Sequence, residues 1–247
     1  MPLACLLLLA TDATNAISGD RPGLLNSSTL VPPGYVQLEV GFARDHARGT
    51  SDTSAFPTAL RYGLSDQLEL RASANGWNRI DAHGAPDDEG FGPLTLGVKG
   101  PIARDWADLD LRGADSVAWV AELRMPGAVL GDEPNSFSPS ISAVASWTPD
   151  QGPWQVSGQV GLAYEPSEES MLLSFAAGAS RPIGGTSSVY FEAGWFPRTR
   201  GGPDPLAVGA GLIALASRDV QLDIGVDMGL GQTNGDWSAG LGLCWRW

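Results

Sequence analysis

The 247-residue chain carries 15 Lys and Arg against 28 Asp and Glu, a net charge of −13. That excludes a nucleic-acid binder, which needs a basic face for phosphates. Apolar residues make up 43% and charged residues only 17%, too apolar for a disordered chain and short of the usual charge of a soluble domain. With 32 Gly and 9 Trp besides, the balance fits a protein with one surface in lipid.

The first element is Leu3 to Ala10, an apolar run far shorter than the ~18 residues of a spanning helix. It reads as the core of an export signal over residues 1–16, with a small-residue cleavage point after Ala16. No Lys or Arg precedes Arg21, so the expected signal is a truncated one. Residues 17–33, polar and Ser/Pro-rich, are expected to form a periplasmic N-terminal extension that either hangs free or plugs the lumen. No later stretch is a candidate spanning helix, so any membrane span must be built of strands.

From Gly34 to Trp247 one pattern recurs: segments of about ten residues alternate apolar with polar or small, and turn residues separate them. The period is 2, not 3.6. The spacing predicts about twelve strands, starting near Gly34, Ser54, Gln67, Gly90, Ser116, Phe137, Trp154, Met171, Ser187, Leu206, Val220 and Trp237. In the first, Val36, Leu38, Val40 and Phe42 share a face. In the fifth, Val117, Trp119, Ala121, Leu123 and Met125 do. The tenth, from Leu206, is apolar on both sides and its facing stays open. In the eleventh, Val220, Leu222, Ile224, Val226, Met228 and Leu230 alternate with Gln221, Asp223, Gly225, Asp227 and Gly229. A soluble sheet puts its large polar groups on the outer face. Here the polar face is crowded with Gly, as if it lined an interior.

The connections alternate in length. Leu64 to Gln67, Pro149 to Gly152, Pro182 to Gly185 and Ser217 to Asp219 are tight, whereas Ala43–Thr53, Arg79–Glu89 and Met125–Ser136 are long and acidic. That is the layout of a transmembrane barrel with short periplasmic turns. Pro101–Gly113 is the exception, long on the short side. Trp147, Trp154, Trp245 and Trp247 fall at one end of the strands and Trp77, Tyr164, Trp195 and Trp237 at the other, as two interfacial belts would. Trp119 fits neither. Strands in lipid must close on themselves, so the expected fold is all-β: one transmembrane antiparallel β-barrel over residues 34–247, with both termini periplasmic. The last strand, with Leu241, Leu243, Trp245 and Trp247 on one face, resembles the terminal signal read by the barrel-assembly machinery.

The stretch Asp20-Arg21-Pro22-Gly23, Ser27-Ser28 and Val31-Pro32-Pro33-Gly34-Tyr35-Val36-Gln37-Leu38-Glu39 is similar to the outer-membrane transporters grouped under the MetA pathway of phenol degradation. So is the C-terminal Asp219-Val220-Gln221-Leu222-Asp223, Gly225, Gly240-Leu241-Gly242 and Trp245-Arg246. The resemblance spans residues 20–247, with its distinctive motifs at the two ends. It implies an outer-membrane transporter barrel with no catalytic residues and no cofactor.

With the apolar face in lipid, Glu39, Arg61, Glu69, Arg71, Lys99, Glu122, Arg124, Glu192, Asp223 and Asp227 face the lumen. They either select solutes in a pore or form ion pairs that fill a narrow lumen. The first reading predicts passage of small, hydrophobic or aromatic solutes; the second, a closed structural or surface-interaction barrel. A soluble β-sandwich or lipocalin-like ligand binder is the third class. Two His and two Cys are too few for a metal cluster or a disulfide framework. Asp45-His46 and Asp81-Ala82-His83 are weak echoes of a barrel protease. The acidic loop residues Asp87, Asp88, Glu89, Asp132, Glu133, Glu165, Glu168 and Glu169 read as a solvated face at the lipopolysaccharide. Outer-membrane lipid, lipopolysaccharide, the assembly machinery and a small solute are the expected partners.

Overall fold

A computed structural model describes residues 16–21, 23–103, 113–126, 136–200, 204–233 and 235–247. The leader before Ala16, most of the Pro101–Gly113 connection, and Asp132 and Glu133 lie outside the described residues.

Among the described residues, fifteen strands form one sheet. They are β1 (Val36–Ala47), β2 (Ser51–Ala55), β3 (Thr58–Ser65), β4 (Leu68–Ala74), β5 (Trp77–Ala82), β6 (Asp88–Phe91), β7 (Leu94–Pro101), β8 (Ser116–Arg124), β9 (Ser138–Trp147), β10 (Gln155–Glu165), β11 (Ser170–Pro182), β12 (Ser187–Trp195), β13 (Leu206–Ser217), β14 (Val220–Leu230) and β15 (Trp237–Arg246). Every ladder is antiparallel, and β1 closes on β15 from Gln37↔Arg246 to His46↔Trp237. Closure removes the free edge that hydrocarbon forbids.

Three pairs of strands are single staves, each broken once, which reduces fifteen strands to the expected twelve staves. The breaks fall at Phe56-Pro57, Asn75-Gly76 and Gly92-Pro93. Pro57 and Pro93 have no N–H to give to a ladder. Gly76 has a φ of +61°, where only Gly is unstrained, and a Cβ there would strike the Phe56 carbonyl. The wall stays shut across the breaks, because the Phe56 amide donates to the Asn75 carbonyl (3.1 Å) and the Gly92 amide to that of Gly76 (2.9 Å). Beyond them, β2, β5 and β6 continue as an antiparallel ribbon beside the end of β1.

The burial pattern is inverted relative to a water-soluble protein. The largest fully buried side chains include Arg61, Lys99, Gln37, Glu39 and Glu69, while Leu60, Ile141, Val160, Phe191, Ile224 and Leu241 are exposed. Period-2 alternation places one set on each side of the wall. β13 resolves likewise: Leu206, Val208 and Leu212 face out, and Ala207, Gly209, Gly211 and Ile213 face in. The Trp119 ring lies over Gly100 of β7, in register with it, and so fills a gap in the outer face. One departure from a purely polar interior is Ala118, Val120 and Val144, buried to 0–2% on the inner face.

Candidate functional site

Residues 17–21 and 23–34 occupy the lumen. The sequence reading leaves open whether the 17–33 extension hangs free in the periplasm or plugs the lumen; the contacts lie against inward-facing side chains. The Ile17 amide donates to the Arg218 carbonyl in the β13–β14 turn, 2.8 Å. Arg21 then meets Asp223 of β14 at 3.6 Å, and the Leu24 amide donates to Glu192 of β12 at 2.8 Å. The amide and side-chain NH2 of Asn26 donate to Gln159 of β10. Ser28 Oγ bonds Ser146 of β9 and Ser116 of β8. Lys99 of β7 donates to the Ser27 and Thr29 carbonyls, both at 2.7 Å. The Val31 amide donates to Glu69 of β4 at 2.8 Å, and Pro33 bridges to Gly63 of β3. From Arg21 on, the extension is thus an inner hoop that visits the wall in descending strand order, from β14 to β3, before entering β1.

Its partners explain why it lies there. An irregular segment at membrane depth must have its N–H and C=O groups satisfied by protein or by water in a cavity. Ser27, Thr29, Asn26, Leu24 and Val31 find such partners on the wall.

Asp20 crosses the hoop. Its carboxylate lies 2.7 Å from Arg71 Nη2, 3.4 Å from Arg61 Nη1 and 3.7 Å from Lys99 Nζ. Arg61 is also held by Glu39 at 2.9 Å and by Glu69 at 2.8 Å, and Arg71 lies 3.4 Å from Glu122. Six of the ten residues assigned to the lumen therefore meet in one network: Glu39, Arg61, Glu69, Arg71, Lys99 and Glu122. Arg124 lines a cavity on the long-loop side. On the opposite wall Glu192 and Asp227 lie together over Gly209, and Asp223 faces Arg21.

Asp20 and Arg21 separate the open spaces. A cavity of about 330 Å³ under Pro57 and Pro93 and another of about 240 Å³ beside Asp227 are bounded by them on the long-loop side. A vestibule of about 570 Å³ among Ile17, Gly184, Gly185 and Gln221 lies on the tight-turn side and also ends at Arg21. The sequence reading missed Asp20 and Arg21 as site residues. A signal was available: Arg61, Arg71, Lys99 and Arg124 outnumber Glu39, Glu69 and Glu122 by one on neighbouring staves, so an acid from elsewhere was needed.

Of the assembly-signal residues, Leu241, Trp245 and Trp247 are exposed on the outer face, and Leu243 is half-buried on it. At the long-loop end His46 Nδ1 lies 2.8 Å from Asp52 and His83 Nε2 3.6 Å from it. Neither pairs with the Asp nearest in sequence. Among the described residues no group of three His, Cys, Asp or Glu is placed to hold a metal ion.

A closed twelve-stave antiparallel barrel, apolar outside and charged inside, is the architecture of an outer-membrane channel. The chain belongs to the family described as "Putative MetA-pathway of phenol degradation", whose model matches residues 19–247. Among solved structures it resembles the COG4313 outer membrane channel from Pseudomonas putida F1, with TM-score 0.59, 15% identity, and 92% of this chain and 99% of that one covered. It also resembles the NanC porin (TM-score 0.57, 9% identity, 84% and 98% covered) and the KdgM porin (TM-score 0.53, 9% identity, 84% and 98% covered). At these identities the likeness is one of fold. No curated protein matches. The protein is a β-barrel of the bacterial outer membrane.

Proposed function

We propose that the barrel passes small solutes, and that the hoop formed by residues 17–34 sets the width of the path. One observation carries this reading: the cavities on both sides meet at Arg21, and Asp20 beside it bounds those on the long-loop side; both belong to a segment held in place by polar contacts and not by the wall's own ladder. The narrowing is thus built from a detachable piece. The family description favours hydrophobic or aromatic solutes; the name is an association and not a mechanism. Selection of the solute falls to the lumen charges of Glu39, Arg61, Glu69, Arg71, Lys99, Glu122, Arg124, Glu192, Asp223 and Asp227. The barrel-assembly machinery is proposed to read Leu241, Leu243, Trp245 and Trp247, and the acidic loop residues to meet lipopolysaccharide. His46 of β1, Asp52 of β2 and His83 are read as a structural contact at the long-loop end and not as a hydrolytic site.

The test is single-channel conductance of the refolded chain in a planar bilayer. Discrete current steps are expected, with ion selectivity altered in the Arg71→Ala, Arg124→Ala double variant. A second reading has its own support in the near-complete burial of Arg61, Glu69 and Lys99, which suits a lumen filled for rigidity. Silence from a sample shown to be folded by its heat-modifiable gel mobility would favour that closed, structural barrel.

A further inference from the structure

The outer wall carries a trough. Ala145, Gly158, Ala177 and Ala193 are consecutive partners across β9 to β12, and all four point outward in the alternation. The neighbouring row toward the long loops carries Val160, Phe175 and Trp195 on its outer face, whereas this row carries one methyl or none. The result is a concavity of about 580 Å³ with an apolar lining, within the size range of small-molecule sites. Its upper wall is the stacked pair Phe175 and Trp195, with ring centroids 5.6 Å apart. Its lower wall is Trp147, which pairs with Val156.

Two rows further toward the tight turns the chemistry changes. Arg181 follows Ala177 and Ala179 on the same face of β11. At ~3.4 Å per residue it sits ~14 Å from Ala177 along the strand. Its guanidinium lies over the Trp154 ring, 5.7 Å from the centroid, and it forms no ion pair among the described residues. An outward Arg on an indole at the end of a membrane strand stands at headgroup depth.

We propose that this trough holds one glycerophospholipid, with an acyl chain lying over Gly158 and Ala177 and its phosphate on Arg181. The trough lies at membrane depth, so its occupant must be apolar along most of its length. The Arg181 cation at its mouth complements an anionic headgroup. Tight turns face the periplasm in barrels of this class, and the leaflet on that side is built of glycerophospholipid, which commits the site to that lipid and not to lipopolysaccharide. The small row gains dispersion contacts that a loosely packed annular lipid would not make. The inference rests on the membrane placement of the barrel and not on passage through its lumen.

The test is native mass spectrometry of the barrel extracted from membranes in mild detergent. The parent is expected to retain one phospholipid per barrel. Ala177→Trp, which fills the trough, is expected to lower the retained fraction about tenfold, equivalent to ~1.4 kcal/mol. Arg181→Gln is expected to lower it less, and to equalise binding of phosphatidylglycerol and a neutral diacylglycerol added back to delipidated protein. Val226→Trp, on the exposed face of β14, is expected to leave retention unchanged. Ala193→Phe is the second filling variant should Ala177→Trp fail to fold. Retention indifferent to both filling variants would overturn the proposal. So would a lipid-free dimer that the filling variants dissociate, because the trough would then be a contact between two copies.

Discussion

At the residue scale, the lumen is organised by a carboxylate that does not belong to the wall. Arg61, Arg71 and Lys99 converge on Asp20, and burial leaves water little part in screening them. Removing one partner of a buried pair costs about 3–5 kcal/mol, chiefly because the other charge is left uncompensated. Asp20→Asn keeps the shape and removes the charge, so it is expected to loosen the hoop. The readout is longer or more frequent open events in single-channel recordings; recordings indistinguishable from the parent would show that Asp20 does not hold the narrowing. A second residue-scale prediction concerns the turn between β13 and β14. Asp219 accepts hydrogen bonds from Arg246 Nε and Nη2 at 2.9 and 2.6 Å. Burial pushes its carboxyl up, but Arg246, with Arg218 beside it, outweighs that and holds it below the usual carboxylate range. A depressed acid contributes stability above the ordinary Asp value of ~3.9 and loses it as pH falls through the folded value. Arg246→Gln should therefore unfold at a lower temperature than the parent near neutral pH. The gap should narrow as pH falls below about 4, as read by the temperature at which the gel shift occurs.

At the element scale, the hoop and the wall are fitted to each other through glycine. Gly63 of β3 lies against the Val31 and Pro32 carbonyls, and a Cβ there would overlap both. Gly63→Ala should displace the end of the hoop while leaving the closing ladder between β1 and β15 in place. Hydrogen exchange is the direct measurement. The amides of Val31 and Gly34, which donate to Glu69 and to Gly63, should exchange faster, and those of Val40 and Leu243 should not change. Equal acceleration in both places would mean that Gly63 supports the wall itself. The strands were legible because one periodicity runs through them: the expected starts at Ser116, Ser187, Leu206, Val220 and Trp237 coincide with the observed ones. The breaks at Pro57, Gly76 and Pro93 were not read. A Pro or Gly inside an alternating run is equally compatible with a bulge, an edge or a turn, and only alignment of the three staves shows that they fall together.

At the scale of the whole molecule, the wall and its filling are separable. The closing ladder runs from Gln37 to His46 and uses no residue of the extension. Deleting residues 17–33 is expected to leave a heat-modifiable, folded barrel with a larger single-channel conductance than the full chain. A deletion that fails to fold would mean that the charges left on the wall are too costly without the hoop, which a companion variant carrying Arg61→Gln and Lys99→Gln would relieve. The sequence by itself determined the class of this protein. Alternation is local, and in hydrocarbon every backbone group must be satisfied, so a dozen alternating segments leave closure as the solution. The tertiary structure alone decided what fills the lumen. Residues 17–34 carry no periodicity, because each contact is made with a different strand of the wall. That docking depends on the unpaired charge and open acceptors that appear only once the barrel has closed.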